Sequence, residues 1–105
     1  MIFRVVFTTP ASHDLDGIGD YLRSVAGPVV ADQFIEEAIT AAESLRTMPT
    51  RQRERTKLGQ GLRCIPVRNH LIFYRVDDGV VSILRVLHGA RDITSKLFPP
   101  SPGEG

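Results

Sequence analysis

Residues 62–89, LRCIPVRNHLIFYRVDDGVVSILRVLHG, decide the fold because three strand patterns follow one another within them. Strands are predicted where apolar and β-branched residues are concentrated: Leu62–Val67, His70–Val76 and Val80–Leu87. Only Arg68-Asn69 and Asp77-Asp78-Gly79 separate these strands. Connections this short predict an antiparallel meander.

The segment before the meander predicts one strand followed by two helices. Residues 2–8 (IFRVVFT) are typical of a strand, with Phe3, Val5 and Phe7 on one face. Thr9 is the predicted helix cap, and Pro10 suits the first helical position. Helical spacing then relates Ala11, Leu15, Ile18, Leu22 and Val25. After Gly27-Pro28 a second helix is predicted from a wider apolar stripe: Ala31, Phe34, Ile35, Ala38, Ile39, Ala42 and Leu45.

The predicted fold class is α+β, in the order β-α-α-β-β-β. The helical hairpin packs on one face of a mostly antiparallel four-stranded sheet. A short helical turn is predicted within residues 90–98. Strict alternation divides the last strand into two apolar sets, Val80, Leu84 and Val86 on one face and Val81, Ile83 and Leu87 on the other. Both faces of the sheet therefore need cover, and we expect a partner protein to cover the second.

Length and composition predict one globular domain. The chain has 105 residues, of which 42% are hydrophobic and 24% charged. Residues 1–98 are assigned to the domain, and the Pro/Gly-rich residues 99–105 to a disordered tail. The single cysteine, Cys64, excludes an internal disulfide and is expected to be a small buried hydrophobe. No apolar run is long enough to cross a membrane, so a cytoplasmic location is expected.

Charge is distributed unevenly along the chain, although the formal net charge is only +1. Residues 1–45 carry two basic and seven acidic side chains, whereas residues 46–75 carry eight basic and one acidic. A basic middle segment of this kind suits an anionic partner, either nucleic acid or an acidic peptide. The run at residues 51–57 lacks the interleaved aromatic residues that would stack on bases.

The order of elements and several motifs resemble the ParE/RelE family of toxins from type II toxin–antitoxin modules, most closely the ParE branch. The most specific motif is the strand that runs from residue 83 to residue 93, ILRVLHGARDI. Further matching stretches are Ala11 to Leu22, Ala31 and Phe34, Leu45 to Pro49, Gly61-Leu62-Arg63, and residues 70–76 (HLIFYRV). The resemblance spans residues 2–93.

This resemblance implies a ParD-like antitoxin whose C-terminal segment wraps the toxin. ParE-like relatives inhibit DNA gyrase, whereas RelE-like relatives cut messenger RNA on the ribosome. Gyrase inhibition is the leading prediction and ribosome-dependent RNA cleavage the alternative. A third interpretation, an inert relative, predicts normal growth when the chain is expressed without antitoxin. Direct contact with nucleic acid is not expected, except with operator DNA through the antitoxin.

Candidate site residues follow from the resemblance. RNA cleavage would use Arg63 and Arg85 to hold phosphate oxygens and His88 to exchange a proton. Gly89 stands where several RNA-cleaving relatives have a tyrosine, which favours the ParE branch. The preferred interpretation of the two arginines is instead that they support the fold or pair with the antitoxin. His88 can simply hydrogen-bond across the sheet, and Gly89 can supply a positive φ at the strand exit.

Two contact surfaces are predicted. The gyrase contact is placed at the exit of the last strand, on Arg85, His88 and Arg91. The antitoxin contact is placed on the edges of the helical hairpin and on the basic segment, at Arg51, Arg53, Arg55, Lys57 and Arg63; a merely solvated loop is the alternative for this segment. The separated residues His13, His70 and His88 do not have the spacing of a metal site, and neither metal nor cofactor is expected.

Overall fold

The computed structural model describes residues 2–100. Its strands and helices, in chain order, are β1 (Arg4–Phe7), α1 (Thr9–Ala26), α2 (Pro28–Glu43), β2 (Arg63–Val67), β3 (His70–Asp77) and β4 (Val80–His88). Short 3-10 turns occupy Ser44–Arg46, Pro49–Arg51 and Ser95–Leu97. The α+β class, the β-α-α-β-β-β order and the short C-terminal helical turn are confirmed.

The four strands form one mixed sheet in the order β1-β4-β3-β2. Three strands make the predicted antiparallel meander, and β1 joins its far edge parallel to β4, with Arg4 opposite Val80 and Phe7 opposite Ile83. The helical hairpin covers one face of this sheet. Its two helices approach closely at Gly19, where an added Cβ would lie 2.9 Å from Cδ1 of Ile35. No helix within residues 2–100 is long and apolar enough to cross a bilayer.

The start of α1 corrects one prediction. Thr8, rather than Thr9, is the N-cap, and its Oγ1 accepts a hydrogen bond from the amide of Ala11. The same hydroxyl donates to the carbonyl of Ile83 at 2.8 Å. Thr8 therefore caps the helix and ties its start to β4, and this second role is a tertiary contact that local sequence does not reveal.

A β-bulge in β4 corrects the predicted alternation. Tyr74 pairs with Ile83 and Phe73 with Arg85, so Leu84 is an extra residue without a partner on β3. Beyond the bulge the two faces exchange. Val86 joins Val81 and Ile83 in the core beneath the helices, whereas Leu84 and Leu87 lie on the other face.

The chain covers the second face of the sheet itself, which contradicts the prediction that a partner must do so. We call residues 93–100 the C-terminal strap. Its Phe98 is buried against Phe73, with ring centroids 4.8 Å apart. A separate apolar cluster results, made of Leu58, Leu62, Cys64, Leu71, Phe73, Leu84, Leu87, Ile93, Leu97 and Phe98. Of the predicted disordered tail, residues 101–105 lie outside the described part of the chain.

Candidate functional site

A groove of about 570 Å³ opens between α1 and the end of β4, and we call it the histidine groove. Three histidines and one arginine line it together with apolar side chains of α1 and β4. The lining residues are His13, Asp14, Gly17, Ile18, Tyr21, Leu22, Asn69, His70, Val86, Leu87, His88 and Arg91. His88 and Arg91, both predicted to contact the target, therefore lie in one groove and are both exposed.

A hydrogen bond at the exit of β4 selects the tautomer of His88. Nδ1 of His88 accepts a hydrogen bond from the amide of Ala90 at 3.0 Å. When the ring is neutral, its proton therefore sits on Nε2, where it can be donated. Gly89 does not have the expected positive φ. Its amide donates to the carbonyl of Asn69 at 2.8 Å, and an added Cβ would lie 3.3 Å from that oxygen.

His70 lies at the inner end of the histidine groove. It is directly opposite His88 in the β3–β4 register, and the ring centroids are 5.0 Å apart. Its ring also packs edge-on against Phe34, at 4.9 Å. Burial, and secondarily the charge of His88, lower the pKa of His70. Within residues 2–100 its Nδ1 is buried without a hydrogen-bond partner. The groove therefore combines a neutral inner imidazole with a solvated outer one.

Arg85 is held inside the fold by Asp14. Its Nε donates to Oδ2 of Asp14 at 2.6 Å and its Nη2 to Oδ1 at 2.9 Å. Its Nη1 donates to the carbonyl of Leu97 in the C-terminal strap at 3.2 Å. The hydrogen bond from Arg85 to Asp14 raises the pKa of the guanidinium. Asp14 also accepts from the amide of Val86, which β1 leaves unpaired because that strand ends at Phe7.

Arg63 lies far from His88. It is opposite Tyr74, whereas His88 is opposite His70, so four residues of β3 separate their positions. That separation is roughly 13 Å along the strand, and β3 also lies between the strands that carry Arg63 and His88. Arg63 donates to the carbonyl of Gln52 and lies 3.4 Å from Glu54. The structure therefore does not bring Arg63 and His88 together, and Arg85 lines a different cavity from His88.

The basic segment is a hydrogen-bonded loop with its cations outward. Backbone bonds close it, from the amide of Arg55 to the carbonyl of Leu62 and from the amide of Leu58 to the carbonyl of Arg55. Four predicted antitoxin contacts are exposed, namely Arg51, Arg53, Arg55 and Lys57. The fifth, Arg63, is only 17% exposed and faces Glu54. Cys64 is buried as expected, and burial raises the pKa of its thiol.

Sequence reasoning missed two residues of the groove. Asp14 is one of them. Its position three residues after the buried Ala11 places it toward the buried side of α1, where a carboxylate indicates an ion pair. Tyr21 was used only as a family match, yet its side chain is 65% exposed beside the apolar floor of the groove. Among the described residues there is no cluster of three or more His, Cys, Asp or Glu side chains suited to a metal ion.

Comparison with known proteins identifies the class. Residues 5–93 match the family described as the ParE toxin of the type II toxin–antitoxin system parDE. The chain is 38% identical to toxin RelE2 of Caulobacter vibrioides over 88 residues, which is 84% of this chain and 97% of the relative. It is 31% identical to toxin ParE3 of the same organism over 94 residues, covering 90% and 94% of the two chains.

Solved structures show the same fold. A chain of the chromosomal ParDE system of P. aeruginosa superposes with a TM-score of 0.74 at 21% identity, covering 83% of this chain and 96% of that one. A chain of the toxin–antitoxin complex RelBE2 of Mycobacterium tuberculosis gives 0.59 at 24% identity, covering 84% and 99%. The molecule is thus a small α+β toxin of a type II module. Specifically, the chain belongs to the ParE toxin family within the ParE/RelE group.

Proposed function

We propose that this toxin acts by binding DNA gyrase and that its own side chains catalyse no reaction. The engagement of Arg85 carries this proposal. Nε and Nη2 of Arg85 both donate to the carboxylate of Asp14, and Nη1 donates to the carbonyl of Leu97 in the C-terminal strap. A phosphate would have to displace these partners, and Arg63 lies too far from His88 to complete a cleavage site with it.

The proposed gyrase contact is the rim of the histidine groove. His88 and Arg91 are exposed there, beside the 65% exposed ring of Tyr21 and an apolar floor. An exposed aromatic ring next to an arginine and apolar surface is the usual composition of a binding hot spot. Arg85 acts behind this rim as a positioning residue, because it fixes Asp14 of the groove wall.

The test compares inhibition of gyrase supercoiling by three single variants and one double variant. We expect Arg91→Ala and His88→Ala each to weaken inhibition at least tenfold, because each removes a contact from the groove rim. Arg4→Ala is the matched control, since Arg4 is exposed on β1 away from the groove. Equal inhibition by a folded His88→Ala/Arg91→Ala double variant would overturn the proposed contact surface.

We propose that a ParD-like antitoxin neutralises the toxin through an acidic segment that docks on the basic loop. The four exposed cations of residues 51–57 support this, since Glu54 is the single acidic side chain among them. Reversing the charge of two of these cations, with Arg53→Glu and Lys57→Glu, should weaken antitoxin binding. The remaining affinity should also depend less on ionic strength, which calorimetry at two salt concentrations measures. Saturating antitoxin should also raise the melting temperature. An unchanged affinity in the reversed variant would contradict the docking site.

Ribosome-dependent cleavage of messenger RNA is the second candidate, and the 38% identity to a toxin named RelE2 favours it. His88 could then exchange a proton through Nε2 with Arg91 as the neighbouring cation, both in the same groove. A translating extract with primer extension separates the two candidates. Codon-phased cuts without any effect on gyrase would replace the leading proposal, whereas supercoiling inhibition without cuts would support it.

A further inference from the structure

Arg75 differs from the other half-buried and buried arginines because, within residues 2–100, it has no carboxylate partner. Its residue is only 8% exposed, the single buried charged residue within 2–100. Arg63 and Arg85 each face a carboxylate, Glu54 and Asp14. Arg75 instead donates from Nε to the carbonyl of Gln60 at 3.0 Å and from Nη1 to the carbonyl of Pro99 at 2.6 Å. Carbonyls satisfy donors but do not neutralise a buried positive charge.

A cavity of about 310 Å³ lies beside this guanidinium on the second face of the sheet. Its wall contains Ser82, which is directly opposite Arg75 in the β3–β4 register. Residues opposite each other on adjacent strands have Cβ atoms roughly 5 Å apart, so Ser82 lies beside the base of the Arg75 side chain, and both residues line the same cavity. The remaining wall is Gln60, Gly61, Val76, Asp77, Leu84, Pro99 and Pro100.

Nη2 of Arg75 packs against the loop that contains Gly59 and Gln60. A Cβ added at Gly59 would lie 2.7 Å from Nη2, so a larger residue there would require the guanidinium to shift. The loop and the C-terminal strap thus enclose the guanidinium from two sides, through Gln60 and Pro99. Asp77 also lines the cavity, but it is exposed, and the hydrogen bonds of Arg75 go to the carbonyls of Gln60 and Pro99.

We propose that this cavity binds one compact oxyanion of the phosphate class, either inorganic phosphate or the phosphate of a mononucleotide. The anion supplies the counter-charge that Arg75 lacks within residues 2–100 and accepts a hydrogen bond from Ser82. Because Arg75 also holds Pro99, the bound anion stabilises the strap over the second face. The site is separate from the histidine groove and from the basic loop, and it does not depend on the proposed gyrase contact.

The experiment is thermal unfolding of the full chain in increasing inorganic phosphate, with sodium chloride keeping the ionic strength constant. A saturable rise in melting temperature of about 5 °C is expected at a tenfold excess over the dissociation constant. AMP and adenosine form two further arms. A response to AMP at lower concentration than to phosphate assigns a nucleotide, and equal responses assign the free ion. Adenosine should give no response, and a response equal to that of AMP would contradict an oxyanion site.

Two substitutions of Ser82 and one of Asp77 locate the effect of phosphate. Ser82→Asp places a carboxylate opposite Arg75, so it should abolish the phosphate response, whereas the neutral control Ser82→Asn should retain it. Asp77→Asn removes the only acidic side chain that lines the cavity within residues 2–100, and it should lower several-fold the phosphate concentration needed. If Ser82→Asp fails to fold, Asp77→Asn and the side-chain NεH resonance of Arg75 decide the matter. An undiminished response in Ser82→Asp, or a resonance that phosphate does not shift, would overturn the proposal.

Discussion

The two faces of the sheet are built on different principles. The face beneath the helices is apolar and periodic, with Phe34, Ile72 and Tyr74 fully buried among the aliphatic side chains of α1 and α2. The second face is closed by irregular segments, the basic loop and the C-terminal strap, and it contains the buried Arg75. The comparison shows that regular elements supply the main core, while hydrogen bonds from arginines hold the cover of the other face.

The largest expected difference between the faces is in the cost of removing one phenyl ring. Phe34→Ala should lower the free energy of unfolding by about 3–5 kcal/mol, because α1, α2 and the sheet surround the cavity it leaves. Phe98→Ala should cost about 2 kcal/mol, since the strap can relax into the space. Chemical denaturation measures both values. Equal costs would show that the strap is as rigid as the helical core.

The Asp14–Arg85 ion pair connects the two faces, because Asp14 belongs to α1 and Arg85 also holds the strap at Leu97. Asp14→Ala should lower stability by about 2 kcal/mol, a value reduced from that of a fully buried pair because both side chains are 16–19% exposed. It should also speed proteolysis within the strap. Asp16→Ala, at an exposed position of the same helix, is the control and should change neither property.

A pH titration should give the smallest effect, and it concerns the helix-covered face alone. The pKa of His70 is lowered in the folded protein, so the unfolded chain binds its proton more readily. Stability should therefore be fully present above the unfolded pKa of about 6.5 and should fall as pH drops through the lower folded pKa. In His70→Gln, this contribution to the decrease in the free energy of unfolding between pH 7.5 and pH 5 should be absent. The exposed His13→Gln should keep it, and equal slopes for all three proteins would contradict the assignment.

Sequence reasoning predicted the regular half of the molecule because that half follows local periodicity. The strands within residues 62–87 follow from apolar side chains that repeat about every 2 residues, and the helical stripes follow from a repeat of about 3.6 residues. The sequence-based prediction was wrong where a single inserted residue or a single tertiary contact determined which face of the sheet a side chain occupies. The bulge at Leu84 reverses the faces of Val86 and Leu87, and nothing in ILRVL marks the extra residue. The strap was missed because its few apolar residues lack any period.

The site was predictable in part for the same reason. His88 and Arg91 lie close in sequence at one strand exit, and the structure keeps them in one groove. Arg63 and Arg85 resembled catalytic cations, yet their partners come from distant segments. Asp14 is 71 residues from Arg85, a separation that no spacing rule covers. Arg75 gave no signal in the sequence, since a strand arginine is ordinarily exposed.

The parallel pairing of β1 with β4 also sets an order of events during synthesis. Arg4 can find its neighbour Val80 only after the meander has been made. At ribosomal rates of about 5–20 residues per second, the first strand therefore waits roughly 4–15 s for its partner. Until β4 is made, the helical hairpin can pack only on the β2–β3 pair, and the histidine groove, which needs β4, does not exist. Before β4 is made, the surface proposed for the gyrase contact is therefore absent.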